Sequence, residues 1–403
     1  MKVLLGHNFY RSSAPSGEDA VFRNEQELLR DHGVDVVPYE VFNDHLDTSS
    51  LTRRITLALE TAWSRDTYQA VSQLIRRTRP DIAHFHNTFP QISPSAYAAC
   101  RDNGVPVVQT LHNFRFICPG GLLLRDGRPC EDCVGTNLLP AMRHRCYRAS
   151  LPATGALVWM LLRNRWQGTY QTMVDRYVAL TEFAASRLIA GGLPKGRLSI
   201  KPNFVPGVSS AGSGDGGFAV FVGRLSAEKG LRTLIAAWEY LPGIPLKIIG
   251  DGPLRQELMD VVLRKNLPIQ FLGFCDRTTV LHTVGDAAIQ LIPSECYEGF
   301  PMVVLEAYAC GTPLVCSRIG SLDEIVREGE TGMKFRAGDA ADLAQTVKRL
   351  LNNPTILLSM RHKARAAFLT HYTSEHNFHL LMEIYHRTLA DACRTPWNSA
   401  GAR

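Results

Sequence analysis

Residues Pro293 to Pro313 read PSECYEGFPMVVLEAYACGTP, and this stretch decides how the rest of the chain is understood. Glu298 and Glu306 stand eight positions apart, with Gly299, Phe300 and Pro301 between them. Gly299 has no Cβ and lets backbone approach a ligand. Pro301 suits the first turn of a helix, where its missing N–H is not needed. The run Met302-Val303-Val304-Leu305, with Ala307 and Ala309, predicts a helix packed under a sheet. Gly311 and Pro313 end it, and Leu314-Val315-Cys316 opens a buried strand. A helix N-terminus carries free N–H groups and a positive dipole end, which suit a diphosphate. Glu298 falls just ahead of that anion site, and Glu306 about two turns along reaches another part of the same ligand. An anion site flanked by carboxylates that accept hydroxyl hydrogen bonds fits a sugar nucleotide. The plain alternative is two solvated helix-end charges, against which the Gly-Phe-Pro junction and the apolar surroundings of Glu306 weigh.

The E-x7-E spacing with an inner Gly-Phe-Pro closely resembles the donor-site motif of retaining glycosyltransferases of family 4, which have the GT-B fold. The resemblance implies that Glu298 faces the donor sugar and Glu306 holds the ribose. It also implies that backbone groups from Gly299 through Phe300, Pro301 and Met302 to Val303 contact sugar hydroxyls and phosphate.

The length of 403 residues predicts two domains. Apolar residues at 45% and charged residues at 20% are ordinary for a soluble chain. The net charge of +6 is unevenly spread: residues 1–200 hold 23 Lys and Arg against 18 Asp and Glu, and the rest hold 21 against 20. Such a bias draws an anionic partner, and without a basic motif interleaved with aromatics a phosphate or lipid is favoured over nucleic acid. The opening MKVLLGHNF has too short an apolar stretch for a signal peptide and reads as a buried strand. The apolar run near Ala156 to Leu162 is far short of the ~20 residues a spanning helix needs. A cytoplasmic protein is expected, and its ten cysteines are then thiols or metal ligands.

Taken in order, Val3-Leu4-Leu5, a polar loop over Ser12 to Asp19, a helix from about Ala20 to Asp31 and a strand from Val34 to Pro38 make a βαβ unit. Gly17 lies in that loop, at the carboxyl end of the first strand. The resemblance places a glycine loop there over the donor phosphates; a plain flexible loop is the other reading. Residues 51–78 read as helical, with Arg53, Arg54, Arg76 and Arg77 on a solvated face. Strands over Asp81 to Phe85 and Val105 to Leu111 deliver His86 with Asn87, and His112 with Asn113, to the same sheet edge. A histidine is commonly structural, but the repeated placement favours function. The resemblance implies that His112 sits close to the reacting sugar and its phosphate, with His86 and Asn87 toward an acceptor.

Cys118, Cys130, Cys133 and Cys146 then appear as C-x11-C-x2-C-x12-C. Cys130-Glu131-Asp132-Cys133 is half of a zinc site, and the flanking cysteines complete four sulfurs. The segment 115–150 therefore reads either as a loop-rich insertion fixed by a structural zinc or as one with free or redox-active thiols. Four thiolates leave no open position for a catalytic metal. From Arg143 to Arg165 there are five arginines and no acid, around Leu157-Val158-Trp159-Met160-Leu161-Leu162. That pattern reads as a surface for an anionic bilayer, as a polyisoprenoid-linked acceptor requires, or as a packed helix with solvated arginines.

Pro206 to Gly217 (PGVSSAGSGDGG) reads as a linker. Beyond it, Phe218 to Phe221 is a strand followed by Gly223-Arg224-Leu225-Ser226-Ala227-Glu228-Lys229-Gly230. Two cations at a strand's carboxyl end suit a diphosphate leaving group, Arg by its planar fork and Lys as a point charge. The pattern again resembles family 4, which implies that Arg224 and Lys229 bind the donor diphosphate. Leu246 to Ile249 is a strand running into Gly250-Asp251-Gly252-Pro253, near the nucleotide by the same resemblance. The sequence after Gly252 fits neither a dinucleotide fingerprint nor a P-loop. A strand over Ile269 to Leu272 ends at Gly273-Phe274, where the family holds the base.

The expected architecture is α/β: an acceptor-binding Rossmann-like domain over 1–205, a linker over 206–217, a nucleotide-sugar domain over 218–372, and a helix over 373–394 crossing back. The resemblance places these two doubly wound domains on either side of a central cleft. Residues 395–403 read as disordered. The expected chemistry is retaining transfer from a nucleotide-sugar donor to a glycan or polyisoprenoid-linked acceptor, with no cofactor needed for the reaction and peripheral membrane contact. Two rivals remain: a non-hydrolysing sugar-nucleotide epimerase, and a non-enzymatic four-cysteine metal adaptor.

Overall fold

A computed structural model describes residues 1–13, 16–46, 50–135, 137–208 and 210–394. The chain divides into two compact units. The first takes Met1–Leu122, Glu131–Pro202 and the chain from Asn377 onward; the second takes Leu123–Cys130 and Asn203–His376. The tail over 395–403 lies outside the described residues.

Up to Pro202 the strands are β1 (Lys2–Phe9), β2 (Asp35–Phe42), β3 (Ile82–Phe85), β4 (Val107–Leu111), β5 (Leu124–Arg125), β6 (Arg128–Pro129), β7 (Arg176–Ala179) and β8 (Leu198–Ile200). Six of them form a parallel sheet in the order β2-β1-β3-β4-β7-β8. From Lys2 to Phe9 all but the first residue are buried, His7 and Asn8 included, as in a parallel strand covered on both faces. Its core takes Val3, Leu5, Phe22, Leu29, Ile82, Val108 and Val178, together with Leu381, Ile384 and Tyr385 of the terminal helix Ser374–Arg394.

The second unit contains β9 (Ala219–Val222), β10 (Leu246–Ile249), β11 (Ile269–Gly273), β12 (Ile289–Ile292), β13 (Leu314–Ser317) and β14 (Gly332–Phe335). They pair in parallel as β11-β10-β9-β12-β13-β14. This is the Rossmann order, in which the chain reverses direction across the sheet between β9 and β12 and leaves a crevice at their carboxyl ends. Its core gathers Phe221, Leu231, Trp238, Ile248, Leu291, Val315 and Phe335.

Two local expectations are corrected. The first helix begins at Gly17 instead of Ala20, because Ser16 and Asp19 form a capping box around its first turn. Residues 51–78 are two helices, Leu51–Ala62 and Arg65–Thr78, parted where Ser64 caps the second by accepting from Thr67 N. The Gly/Ser-rich stretch before β9 is hydrogen-bonded to other segments of the second unit. Gly212 N donates to Cys310 O, Gly214 N to Gly285 O and Gly216 N to Asp286 O, each at 2.9–3.0 Å. Among the described residues no helix is long and apolar enough to cross a membrane.

Candidate functional site

In the second unit the segments after four neighbouring strands are tied into one rim. Gly223 N donates to Ile249 O, Leu225 N to Asp251 O, Gly250 N to Gly273 O and Glu295 N to Glu228 O. Two glycines permit this closeness. A Cβ on Gly230, whose φ is +69°, would lie 1.8 Å from Pro293 O, and one on Gly250, at φ +133°, would lie 1.9 Å from Gly223 O. The rim thus brings the loop after β9 against the loop after β12, across the point where strand order reverses.

Lys229 and Glu298 meet there: Nζ donates to Oε1 at 2.6 Å, and Ser294 Oγ donates to the same oxygen at 2.7 Å. Burial alone would pull the Lys229 ammonium down, but the Glu298 carboxylate outweighs it and holds the group above the ordinary lysine range. Burial would likewise push Glu298 up, and Lys229 instead holds it below the usual carboxylate range. Both therefore stay charged at neutral pH. Arg224, five residues ahead of Lys229, is exposed.

The helix Met302–Cys310 begins where the sequence predicts, with Pro301 as its N-cap residue and no side chain capping it. Val304 N turns back to Pro301 O, while the first-turn amides of Met302 and Val303 precede any intrahelical partner. Gly299 is half-buried. Phe300 is packed inward edge-on to Tyr372, so this residue offers a ligand its backbone rather than its ring. Burial raises the Glu306 carboxyl above its ordinary value, partly offset by Arg277. Phe274, at the end of β11, is 81% exposed.

The first unit has its own cavity, lined by Glu18, His86, Asn87, His112, Asn113 and Arg115 among others. His86 and His112 come together as their strands require, with His86 Nδ1 2.9 Å from His112 Nε2. Gly17 is exposed at the start of its helix, and it is the next residue, Glu18, that lines the cavity. Glu18 accepts from Asn113 Nδ2 at 2.8 Å and from Tyr10 Oη at 3.2 Å, and burial raises its carboxyl.

Cys118 and Cys133 are buried, and Cys130 and Cys146 are half-buried. Cys118 and Cys146 flank Gly120: a Cβ there would lie 3.7 Å from Cys118 Sγ and 3.8 Å from Cys146 Cβ. Among the described residues the group at metal-ligand spacing is instead Glu25, His84 and His86, within 4.8 Å of one another. Lys201 Nζ already supplies a cation to that group, 2.9 Å from Glu25 Oε2.

Glu25 and Lys201 are the residues that reading the sequence missed. The signal was present: Glu25 falls on the same helix face as Val21, Phe22 and Leu29, where a lone carboxylate needs a partner. Lys201 likewise follows directly on the strand residue Ile200, where a buried ammonium needs a partner.

Comparison with known proteins follows the same division. The model for "Glycosyltransferase Family 4" matches residues 26–206, and that for "Glycosyl transferases group 1" matches residues 210–367. The chain belongs to the glycosyltransferases of family 4 and has the GT-B fold. Glycogen synthase of Mycobacterium tuberculosis is 39% identical over 154 residues, covering 37% of this chain and 36% of that protein. An uncharacterized glycosyltransferase of Methanocaldococcus jannaschii is 30% identical over 200 residues, 48% of this chain and 56% of its own. The chain thus spans between about a third and a little over half of these relatives' length. Sucrose-phosphate synthase of Thermosynechococcus elongatus superposes with a TM-score of 0.71 at 17% identity, covering 97% of this chain and 100% of that one.

Proposed function

We propose that the chain transfers a sugar from a nucleotide-diphosphate donor held by the second unit to a glycan or lipid-linked acceptor held by the first. The observation that carries this reading is the Lys229–Glu298 pair, a persistent cation beside a persistent carboxylate at the reversal of strand order. Lys229 and Arg224 neutralise the departing diphosphate, and the open amides of Met302 and Val303 add to them. Glu298 takes sugar hydroxyls and Glu306 the ribose hydroxyls. The anomeric carbon–phosphate oxygen bond breaks while the acceptor oxygen bonds the same face of that carbon. The acceptor's proton passes to the leaving phosphate oxygen, so the anomeric configuration is retained without a metal or a protein nucleophile. A structure of Anabaena Alr3699/HepE holds UDP, which supports a uridine donor as the first to try.

Thermal shift against a panel of UDP-, GDP- and ADP-sugars tests the reading, since a ligand at 100 times its Kd stabilises by about 2.7 kcal/mol. A glycosylated product whose anomeric signal matches the donor's is expected once an acceptor is added. Isomerised donor in the absence of acceptor would instead identify an epimerase, and no shift with any donor would sink the proposal.

We also propose that the acceptor is reached at an anionic bilayer. The helix Leu151–Trp166 packs on the helix Leu51–Ala62 and buries Leu157, Met160 and Leu161. It leaves Trp159 and Trp166 exposed, and Arg143, Arg145 and Arg148 of the preceding segment are exposed too.

A further inference from the structure

Behind His112 the first unit buries a line of charged and ring groups that the transfer chemistry above leaves unused. Glu25 is fully buried, and its two oxygens are divided. Oε2 accepts from Lys201 Nζ at 2.9 Å; Oε1 lies 2.9 Å from His86 Nε2 and 3.1 Å from His84 Nδ1. Lys201 also donates to Asn377 Oδ1 at 2.9 Å, at the start of the terminal helix. His86 Nδ1 in turn lies 2.9 Å from His112 Nε2.

We infer that Glu25, acting through His86, is a positioning residue that fixes the His112 ring with its proton on Nε2 and the lone pair of Nδ1 free for a substrate hydroxyl.

The assignment follows from which groups donate. A carboxylate only accepts, so His86 carries its proton on Nε2, facing Glu25. A neutral His86 then presents a lone pair at Nδ1, and His112 Nε2 must donate to it. A neutral His112 with Nε2 protonated has a bare Nδ1. The charge states agree with this. Burial holds His86 down to about 4 and His112 well below the ordinary histidine range. Burial would push the Glu25 carboxyl up, but Lys201, His86 and His84 outweigh it and hold it well below the usual value. Lys201 thus keeps Glu25 ionised, Glu25 orients His86, and His86 orients His112, as a buried carboxylate orients a histidine in other relays.

This deepens the proposed function and rests on it for the identity of the substrate. An acceptor nitrogen takes a hydrogen bond from a hydroxyl and repels a phosphate oxygen. Of the two partners that resemblance offers His112, sugar and phosphate, the relay selects a sugar hydroxyl. The cavity that His112 lines with Glu18 and Asn113 supplies the setting.

Nitrogen-15 NMR of the ligand-free full chain, labelled at histidine and assigned with His112→Gln, reads the tautomer directly. The wild type is expected to show a protonated Nε2 and a bare Nδ1 at His112. In Glu25→Gln the amide oxygen stays with Lys201 and its NH2 faces His86, so both rings are expected to exchange their protonated and bare nitrogens. In His86→Phe, which keeps a ring but no nitrogen, His112 is expected to show both tautomers. A wild-type His112 protonated on Nδ1 overturns the inference. So does an unchanged His112 in a folded Glu25→Gln protein, or an unchanged one in His86→Phe if Glu25→Gln does not fold. None of these readouts needs a donor. A chain with the relay intact but no affinity for any sugar nucleotide would sink the proposed function alone.

Discussion

Lys229 and Glu298, 69 positions apart, share a 2.6 Å hydrogen bond because Gly230 brings the loop after β9 against Pro293 at the end of β12. The pair is mostly buried, with 28% and 12% of the two side chains exposed. Losing one member leaves the other charge poorly paired and removes a charge aimed at the leaving group. Lys229→Met is expected to lower kcat by about 10²–10³-fold, the range for one preorganised electrostatic contact. Glu298→Gln keeps the shape and is expected to lose activity similarly while keeping its melting cooperative. Steady-state rates and a thermal melt of each variant check this. Wild-type rates in both would remove the pair from the chemistry.

Much of this arrangement was legible in the sequence. The Gly-Phe-Pro junction and the apolar run after it gave the helix at Met302, and the run Gly223 to Gly230 gave the cations, because both depend on contiguous residues. Glu25 and Lys201 were not legible, since each is explained only by a partner 176 positions away. The contacts of the linker stretch were not legible for a related reason. Its Gly/Ser composition says what the backbone is free to do. Its hydrogen bonds to Cys310, Gly285 and Asp286 depend on where distant segments lie.

Gly230 and Gly250 give a backbone test of the rim. Alanine at either position combines a left-handed φ with a Cβ inside contact distance of a carbonyl oxygen. The left-handed conformation alone costs about 1–2 kcal/mol, and displacing Pro293 or Gly223 adds to it. Urea unfolding should therefore show losses above that range. Gly243→Ala, where a Cβ meets nothing within 4 Å, is the control and should change stability by less than about 0.5 kcal/mol.

Glu306 predicts a pH dependence of donor binding. Burial raises its folded-state pKa above the ordinary carboxylate value, so it takes up a proton at a higher pH than a free glutamate. A protonated carboxyl has less capacity to accept from the two ribose hydroxyls. Donor affinity is therefore expected to weaken as pH falls through that raised pKa. A sugar-nucleotide diphosphate has no phosphate monoester to titrate in this window, which isolates the protein's contribution. Calorimetric titration across pH should show the decline in wild type and its loss in Glu306→Gln. For stability the sign is opposite: a carboxyl with a raised folded pKa favours the native state as pH falls.

The surface of the helix Leu151–Trp166 decides whether the first unit docks on lipid. Two of its arginines are already engaged. Arg163 lies over the Trp63 ring at 4.7 Å, and Arg165 Nη1 donates to Gly135 O at 3.0 Å. Arg148 lies over the Tyr147 ring at 5.2 Å, so the attraction to lipid falls to Arg143 and Arg145, and the apolar insertion to Trp159 and Trp166, which are 52% and 88% exposed. Co-sedimentation with phosphatidylglycerol vesicles is expected, with little binding to phosphatidylcholine and weakening as salt rises. A basic residue near an anionic surface contributes about 1 kcal/mol, so Arg143→Ser with Arg145→Ser should reduce partitioning by roughly thirtyfold. Trp159→Ser with Trp166→Ser should weaken binding at every salt concentration, because it removes buried apolar area instead of charge. If the arginine variant sediments like wild type at low salt, the surface is a solvated face and the acceptor is reached without the membrane.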